Sequence, residues 1–146
     1  MVTSMGLDAV VYKNIDNLPE KLRGLMKVVD ALTGELEFVA PQPPSPHYND
    51  SLFAANIRIG NISKVGWLRE QIESRWPGTC SVILNAVLYS STHSGDFIAL
   101  DEVRRIKLEI DEIDCTAIPA DLAAFFEELG QMLNAAERER NPIVFQ

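Results

Sequence analysis

The sequence predicts an α+β domain: a small, mostly antiparallel sheet that includes strands at both chain ends, packed against four or five helices. Three observations carry that reading. A β-branched apolar run follows Gly6, an apolar stripe at helical period fills residues 119–138, and Ile143-Val144-Phe145 supplies a last β-branched segment. Short strands at the two ends are then placed to pair with each other.

The elements follow in order. Residues 6–13 form the first strand. Asn17 stands three residues before Glu20 in a partial capping box, with Pro19 tolerated in the first turn, so a helix is expected over 18–32. Leu18, Leu22, Leu25, Met26 and Val29 share one stripe of it, and Gly34 is positioned to end it. Glu35 to Val39 alternates as a half-exposed strand does, and Pro41, Pro43, Pro44 and Pro46 then impose a rigid loop.

Phe53 to Ile59 reads as a strand, and Gly60-Asn61 turns the chain into a helix that carries Val65, Leu68, Ile72 and Trp76 at three-to-four spacing. Pro77-Gly78 stops it. Thr79 or Ser81 caps a further helix, whose Val82, Ile83, Ala86 and Val87 make it apolar on more than one face and therefore central. Asp101 is the expected N-cap of a helix reaching 113, with Val103, Ile106, Ile110 and Ile113 opposite Arg104, Arg105, Glu109 and Glu112. The last helix, 119–138, places Leu122, Phe125, Phe126, Leu129, Met132, Leu133 and Ala136 on one side, and Pro142 breaks it.

Composition narrows the function classes. With 146 residues, 47% of them apolar, the chain suits one domain with its own hydrophobic core. Thirteen basic against 21 acidic side chains give a formal charge of −8, which repels phosphate backbones and anionic lipid, so neither nucleic acid nor a membrane is expected as a partner. Cys80 and Cys115 lie far apart with no Cys-x-x-Cys spacing, so no zinc cluster, redox motif or other cofactor is implied, and the chain reads as cytoplasmic with reduced thiols.

Chemistry-bearing side chains crowd in one stretch, Leu88 to Ile98. His93 and Asp96 stand there among Ser90, Ser91, Thr92 and Ser94, with Tyr89 beside them, and supply a nucleophile, a base and a carboxylate in one loop. Catalytic groups usually arrive from separate elements, and no Gly-x-Ser-x-Gly elbow exposes any of these hydroxyls. A turn at Gly95 is therefore favoured over a catalytic centre. His47, in the proline-rich loop, would complete a metal set only if it met His93, and a solvent-facing loop histidine is the preferred reading. Arg58 and Arg69 sit among apolar residues and suit internal pairing with acids; Trp67 suits the core, or a partner surface if exposed.

Met5-Gly6-Leu7-Asp8 leading into a strand, Arg58-Ile59-Gly60-Asn61 followed by Trp67-Leu68-Arg69, the turn Gly95-Asp96-Phe97-Ile98 and the terminal Asn141-Pro142-Ile143-Val144-Phe145 together resemble a family of small bacterial and phage proteins that begin with Met-Gly-Leu-Asp. The chain departs from that pattern at Asn61-Ile62-Ser63, where a serine-tyrosine-serine stretch is expected. The resemblance implies a compact cytosolic α+β domain over 5–146, residues 1–4 being an extension, and a shared surface around Arg58, Gly60, Trp67 and Arg69. It implies no activity, cofactor or catalytic residue.

Three functions are compatible with these features. The first is a non-enzymatic protein-binding or accessory module, self-associating or bound to a partner. Its sharper form is an immunity-type protein whose acidic face covers the basic site of a toxin. The competing reading is a small hydrolase or ligand-binding enzyme centred on His93 and Asp96, with His47, Tyr89 or Arg58 joining from other elements.

Overall fold

A computed structural model describes residues 6–39, 52–90 and 95–146. The fold is α+β. A four-stranded antiparallel sheet is built from β1 (Leu7–Tyr12), β4 (Phe53–Gly60), β5 (Phe97–Ile98) and β6 (Ile143–Phe145), in the order β4-β1-β6-β5. The two chain ends do pair: Ala9 lies opposite Phe145 and Val10 opposite Val144. Asp8 and Gln146 exchange backbone hydrogen bonds at 2.9 and 3.4 Å and extend that ladder.

Alternation along β1 sends side chains to both faces of the sheet, and both are covered. Leu7, Ala9 and Val11 enter the main core, whereas Val10 and Tyr12 join Val144 and Phe53 on the opposite side. Helix α5 (Ala120–Glu139) lies over the main-core face. Its Leu122, Phe125, Phe126, Leu129, Met132, Leu133 and Ala136 are all buried, each such side chain contributing about 1.5–3 kcal/mol if aliphatic or aromatic. Arg140 ends the helix in the left-handed region, φ 55°, and Pro142 prevents its continuation.

Helix α2 (Ile62–Arg75) starts at Asn61, whose side chain accepts from the Lys64 amide, and buries Val65, Leu68 and Ile72. Helix α4 (Leu100–Glu112) buries Val103 and Ile106, and Lys107 pairs with Glu137 of α5. Its N-cap is Ala99; Asp101 instead falls in the first turn, where a carboxylate complements the helix dipole.

Residues 18–32 do not form the expected helix. A three-ten turn (Ile15–Asn17) and one helical turn, α1 (Glu20–Arg23), are followed by β2 (Met26–Asp30), which pairs with β3 (Glu35–Phe38) as a separate hairpin. The β-branched pair Val28-Val29 and the turn chemistry after it outweigh the apolar stripe. Asp30 Oδ1 accepts from the Leu32 amide at 2.9 Å, Thr33 Oγ1 accepts from the Glu35 amide at 3.2 Å, and Gly34 takes φ 76°. Gly34 thus closes a hairpin, not a helix. Leu18, Met26 and Leu36 form a small third cluster beneath it.

Two buried carboxylates tie these pieces together. Glu109 of α4, expected on the polar face, is buried and accepts from the backbone amides of Val82 (2.8 Å) and Ile83 (3.0 Å) and from the Ser81 hydroxyl (3.3 Å). It thereby satisfies the open amides at the start of α3 (Ile83–Val87), a π-helical segment in the core. Glu139, the last residue of α5, accepts from the Asn14 amide (2.9 Å), the Asn17 side chain (3.3 Å) and Arg138 (3.1 Å). Asn14 returns a bond to the Glu139 carbonyl, and Asn141 donates to the Tyr12 carbonyl, both at 2.9 Å.

Burial opposes ionisation of Glu139, but the bonds from Asn14, Asn17 and Arg138 outweigh it and hold the carboxyl below its ordinary value of 4.5. A folded value lowered in this way stabilises the protein fully above the ordinary value, and the stabilisation is lost as pH falls toward and through the lowered one. The urea-midpoint difference between wild type and Glu139→Gln should therefore be clear at about pH 7 and shrink progressively as pH falls below 4.5. Glu109→Ala leaves two buried amides without an acceptor and should cost about 2–3 kcal/mol in urea unfolding with an unchanged m-value. A loss within about 0.5 kcal/mol would show that water replaces the carboxylate there.

Candidate functional site

The segment from α3 to β5 is held by the C-terminal strand. The Gly95 amide donates to the Phe145 carbonyl at 2.8 Å, and the Phe145 amide donates to the Asp96 carbonyl at 2.9 Å. Gly95 has φ 94°, a conformation that glycine reaches without a Cβ penalty, so the expected turn stands where the sequence placed it. Across this turn the Tyr89 hydroxyl donates to the Asp96 carboxylate.

Tyr89 and Asp96 line an open groove of about 310 Å³ with Asn85, Glu102 and Phe97. Among the described residues of the lining, two carboxylates, an amide and a phenol supply hydrogen-bond acceptors. His93 and His47 lie outside the described residues, as do Ser91, Thr92 and Ser94.

Arg58 does not join that groove. It stands on β4, at the edge of the sheet opposite β5, where Nη1 pairs with Asp8 at 3.2 Å. A Cβ on residue 6 would overlap the Arg58 guanidinium, so Gly6, Asp8 and Arg58 form one packed unit. This accounts structurally for three residues of the Gly-Leu-Asp and Arg-Ile-Gly pattern.

Arg69 is also consumed internally. Its Nη1 donates to the carbonyls of Leu88 (2.8 Å) and Leu84 (3.3 Å), and its Nη2 pairs with Glu73 at 3.3 Å. A guanidinium thus meets the open carbonyls at the end of α3, while Glu109 meets the open amides at its start. Trp67 is half-buried against the main core, and Trp76 meets Phe126 edge-on, with ring centroids 5.7 Å apart.

Burial, reinforced by the nearby Glu109 charge and then by Cys115, pushes the Cys80 thiol up to about 11. Cys115 is exposed, and burial of its thiol followed by the Asp114 charge raises its value as well. Among the described residues, no three His, Cys, Asp or Glu side chains are grouped to hold a metal ion.

Glu109 and Glu139 are the polar residues that sequence reasoning missed. A partial signal existed for the first: it lies three residues after Ile106, at the rim of the apolar stripe of α4. For the second, nothing local marks an acid within an Arg-Glu-Arg run as buried.

The two arginines should separate in stability measurements. Arg69→Met removes charged donors from two carbonyls and should cost about 1.5–3 kcal/mol, whereas Arg58→Met breaks a half-exposed pair and should cost under about 1 kcal/mol. Equal losses in chemical denaturation would contradict the role of Arg69 at the end of α3. The chain matches no protein-family model, no curated protein and no solved structure.

Proposed function

We propose that this protein is a non-enzymatic binding module of the cytosol that engages another protein through its β2–β3 hairpin. The observation that carries this reading is the exposure of apolar side chains there: Val28 and Val29 at 44%, Val39 at 62% and Leu32 at 71%. Apolar side chains gathered in the water-facing positions of one small hairpin suit a surface that a partner covers. The alternative catalytic centre is weakened by the position of Arg58, an entire sheet away from Asp96. Among the described residues, no helix is long and apolar enough to cross a membrane.

The formal charge of −8 favours a basic partner, and an immunity-type protein covering a basic toxin site is the sharpest form of this reading. The resemblance to the Met-Gly-Leu-Asp proteins fits the same picture, since its Gly6, Asp8 and Arg58 build structure and leave recognition to other surfaces.

A photo-crosslinking amino acid placed at residue 32, in cells that make the protein naturally, should capture one predominant protein identifiable by mass spectrometry. The same probe at Leu108, an equally apolar and exposed position on α4, should not. Capture at neither position, or identical capture at both, would remove the hairpin as a recognition surface.

A further inference from the structure

We infer that the open edge of β4, with the face of α5 beside it, is a self-association surface on which two copies of this chain pair about a two-fold axis. This goes beyond the hairpin reading and concerns a different face of the molecule.

Strand β4 is eight residues long and lies at the edge of the four-stranded sheet. Its inner side pairs with β1, so every second residue turns its amide and carbonyl outward. Among the described residues, no other part of the chain bonds to the backbone of Ala54 to Ile57. An exposed edge of this length is a template for another strand, and no proline or lysine lies within it to discourage pairing. A groove of about 410 Å³ runs between this edge and α5, bordered by Ala54 to Ile57 on one side and by Gln131, Asn134 and Arg138 on the other.

Charge selects the occupant. Two chains at −8 each repel, yet none of the described residues that line this groove is a carboxylate, so two copies can approach here with little local repulsion. Along α5 the groove residues Gln131, Asn134 and Arg138 continue a face that begins at Glu128, the four being spaced three and four residues apart. An acid stands at one end, amides occupy the middle, and a base stands at the other end. That sequence is self-complementary when reversed. In an antiparallel pair of α5 helices, Glu128 of each copy meets Arg138 of the other and the amides meet at the axis.

The strand obeys the same axis. β4 and β6 each pair antiparallel with β1, and α5 turns into β6 through residues 140–142, so β4 and α5 run in opposite directions. One two-fold axis can then pair β4 with β4 and α5 with α5, and join the two sheets into one. This is an isologous contact that closes on itself. Arg138 can take part because its Nε bonds Glu139 while its terminal nitrogens bond no other described residue.

Sedimentation velocity on the full chain at about 100 µM, a concentration that populates even weak specific dimers, should give twice the chain mass. Glu128→Arg and Arg138→Glu should each return the monomer, and the double variant should restore the dimer, because the exchange leaves the pattern complementary. Gln131→Lys with Asn134→Lys, both exposed and free of core contacts, provides a variant that cannot fail through the Glu139 cluster and should also be monomeric. Circular dichroism matching wild type confirms that each variant folds.

A monomeric wild type, or a dimer that survives all these changes, overturns the inference. Leu32→Ser should leave the dimer intact. Loss of dimer with that variant alone would place self-association on the hairpin and equally overturn the proposal, whereas crosslinking at residue 32 to a different protein leaves it standing.

Discussion

The structure depends on the pairing of the last strand with the first. β6 has only three residues, yet it occupies an interior position of the sheet, between β1 and β5. Its insertion joins segments that begin and end the chain, a contact whose loop-closure cost grows only slowly with length but must be met before the sheet gains anything. Helix α5 runs directly into β6 through Asn141 and Pro142, so placing the strand also lays the longest apolar helix across the sheet. Gly95 and Asp96 hang from Phe145, and Asp8 is tied to Gln146. The core, the Tyr89–Asp96 groove and the Gly6-Asp8-Arg58 unit therefore share one foundation.

A second constraint concerns helix ends. The π-helical α3 is too short to be stable by propagation, and it packs Ile83 and Val87 into the core, so the open amides and carbonyls at its ends need protein partners. The protein meets this need from neighbouring helices: Glu109 reaches the start of α3 from α4, and Arg69 reaches its end from α2. Each charge also has the sign that the helix dipole favours. A buried carboxylate and a half-buried guanidinium are thus held by backbone groups, and substitution by an apolar residue leaves those groups unpaired. Glu139 is a variant of the same device at a less favourable place, since a carboxylate at a helix C-terminus opposes the dipole. Bonds from Asn14 and Asn17 compensate, and in doing so fasten the start of the chain to the end of α5.

Sequence pattern was informative where one periodicity acted alone. β1, β3, β4, α2, α4, α5 and β6 all lie close to their expected positions because their apolar residues repeat along enough chain to be unambiguous, or because a proline marks the boundary. It failed over residues 18–32, where Leu18, Leu22, Leu25, Met26 and Val29 mimic a helical stripe. There Gly24 interrupts the stripe, Val28-Val29 prefers a strand, and the decisive partner, Glu35 to Phe38, lies beyond the window in which periodicity is read. The site was less legible for a related reason. A residue type does not reveal whether its charge is already spent: Arg58 and Arg69 stand out in the sequence as binding candidates, and both are engaged by the protein itself. Asp96 and Tyr89 do meet, but they are near neighbours around the turn at Gly95, which makes their contact the easiest to foresee.

Buried charge in this fold is directed inward. Here the buried charges Glu109 and Glu139 are directed at backbone amides and side-chain amides of the chain itself, and serve to join secondary-structure elements. Among the described residues, the groove at Tyr89 and Asp96 is bordered by acceptors on an acidic molecule. Polar groups invested in this way rigidify a scaffold. On the reading proposed above, what such a scaffold offers is surface, and among the described residues the apolar hairpin β2–β3 and the strand edge of β4 stand out. Both consist of extended backbone, which recognises other chains through main-chain bonds and alternating side chains more readily than it binds small molecules.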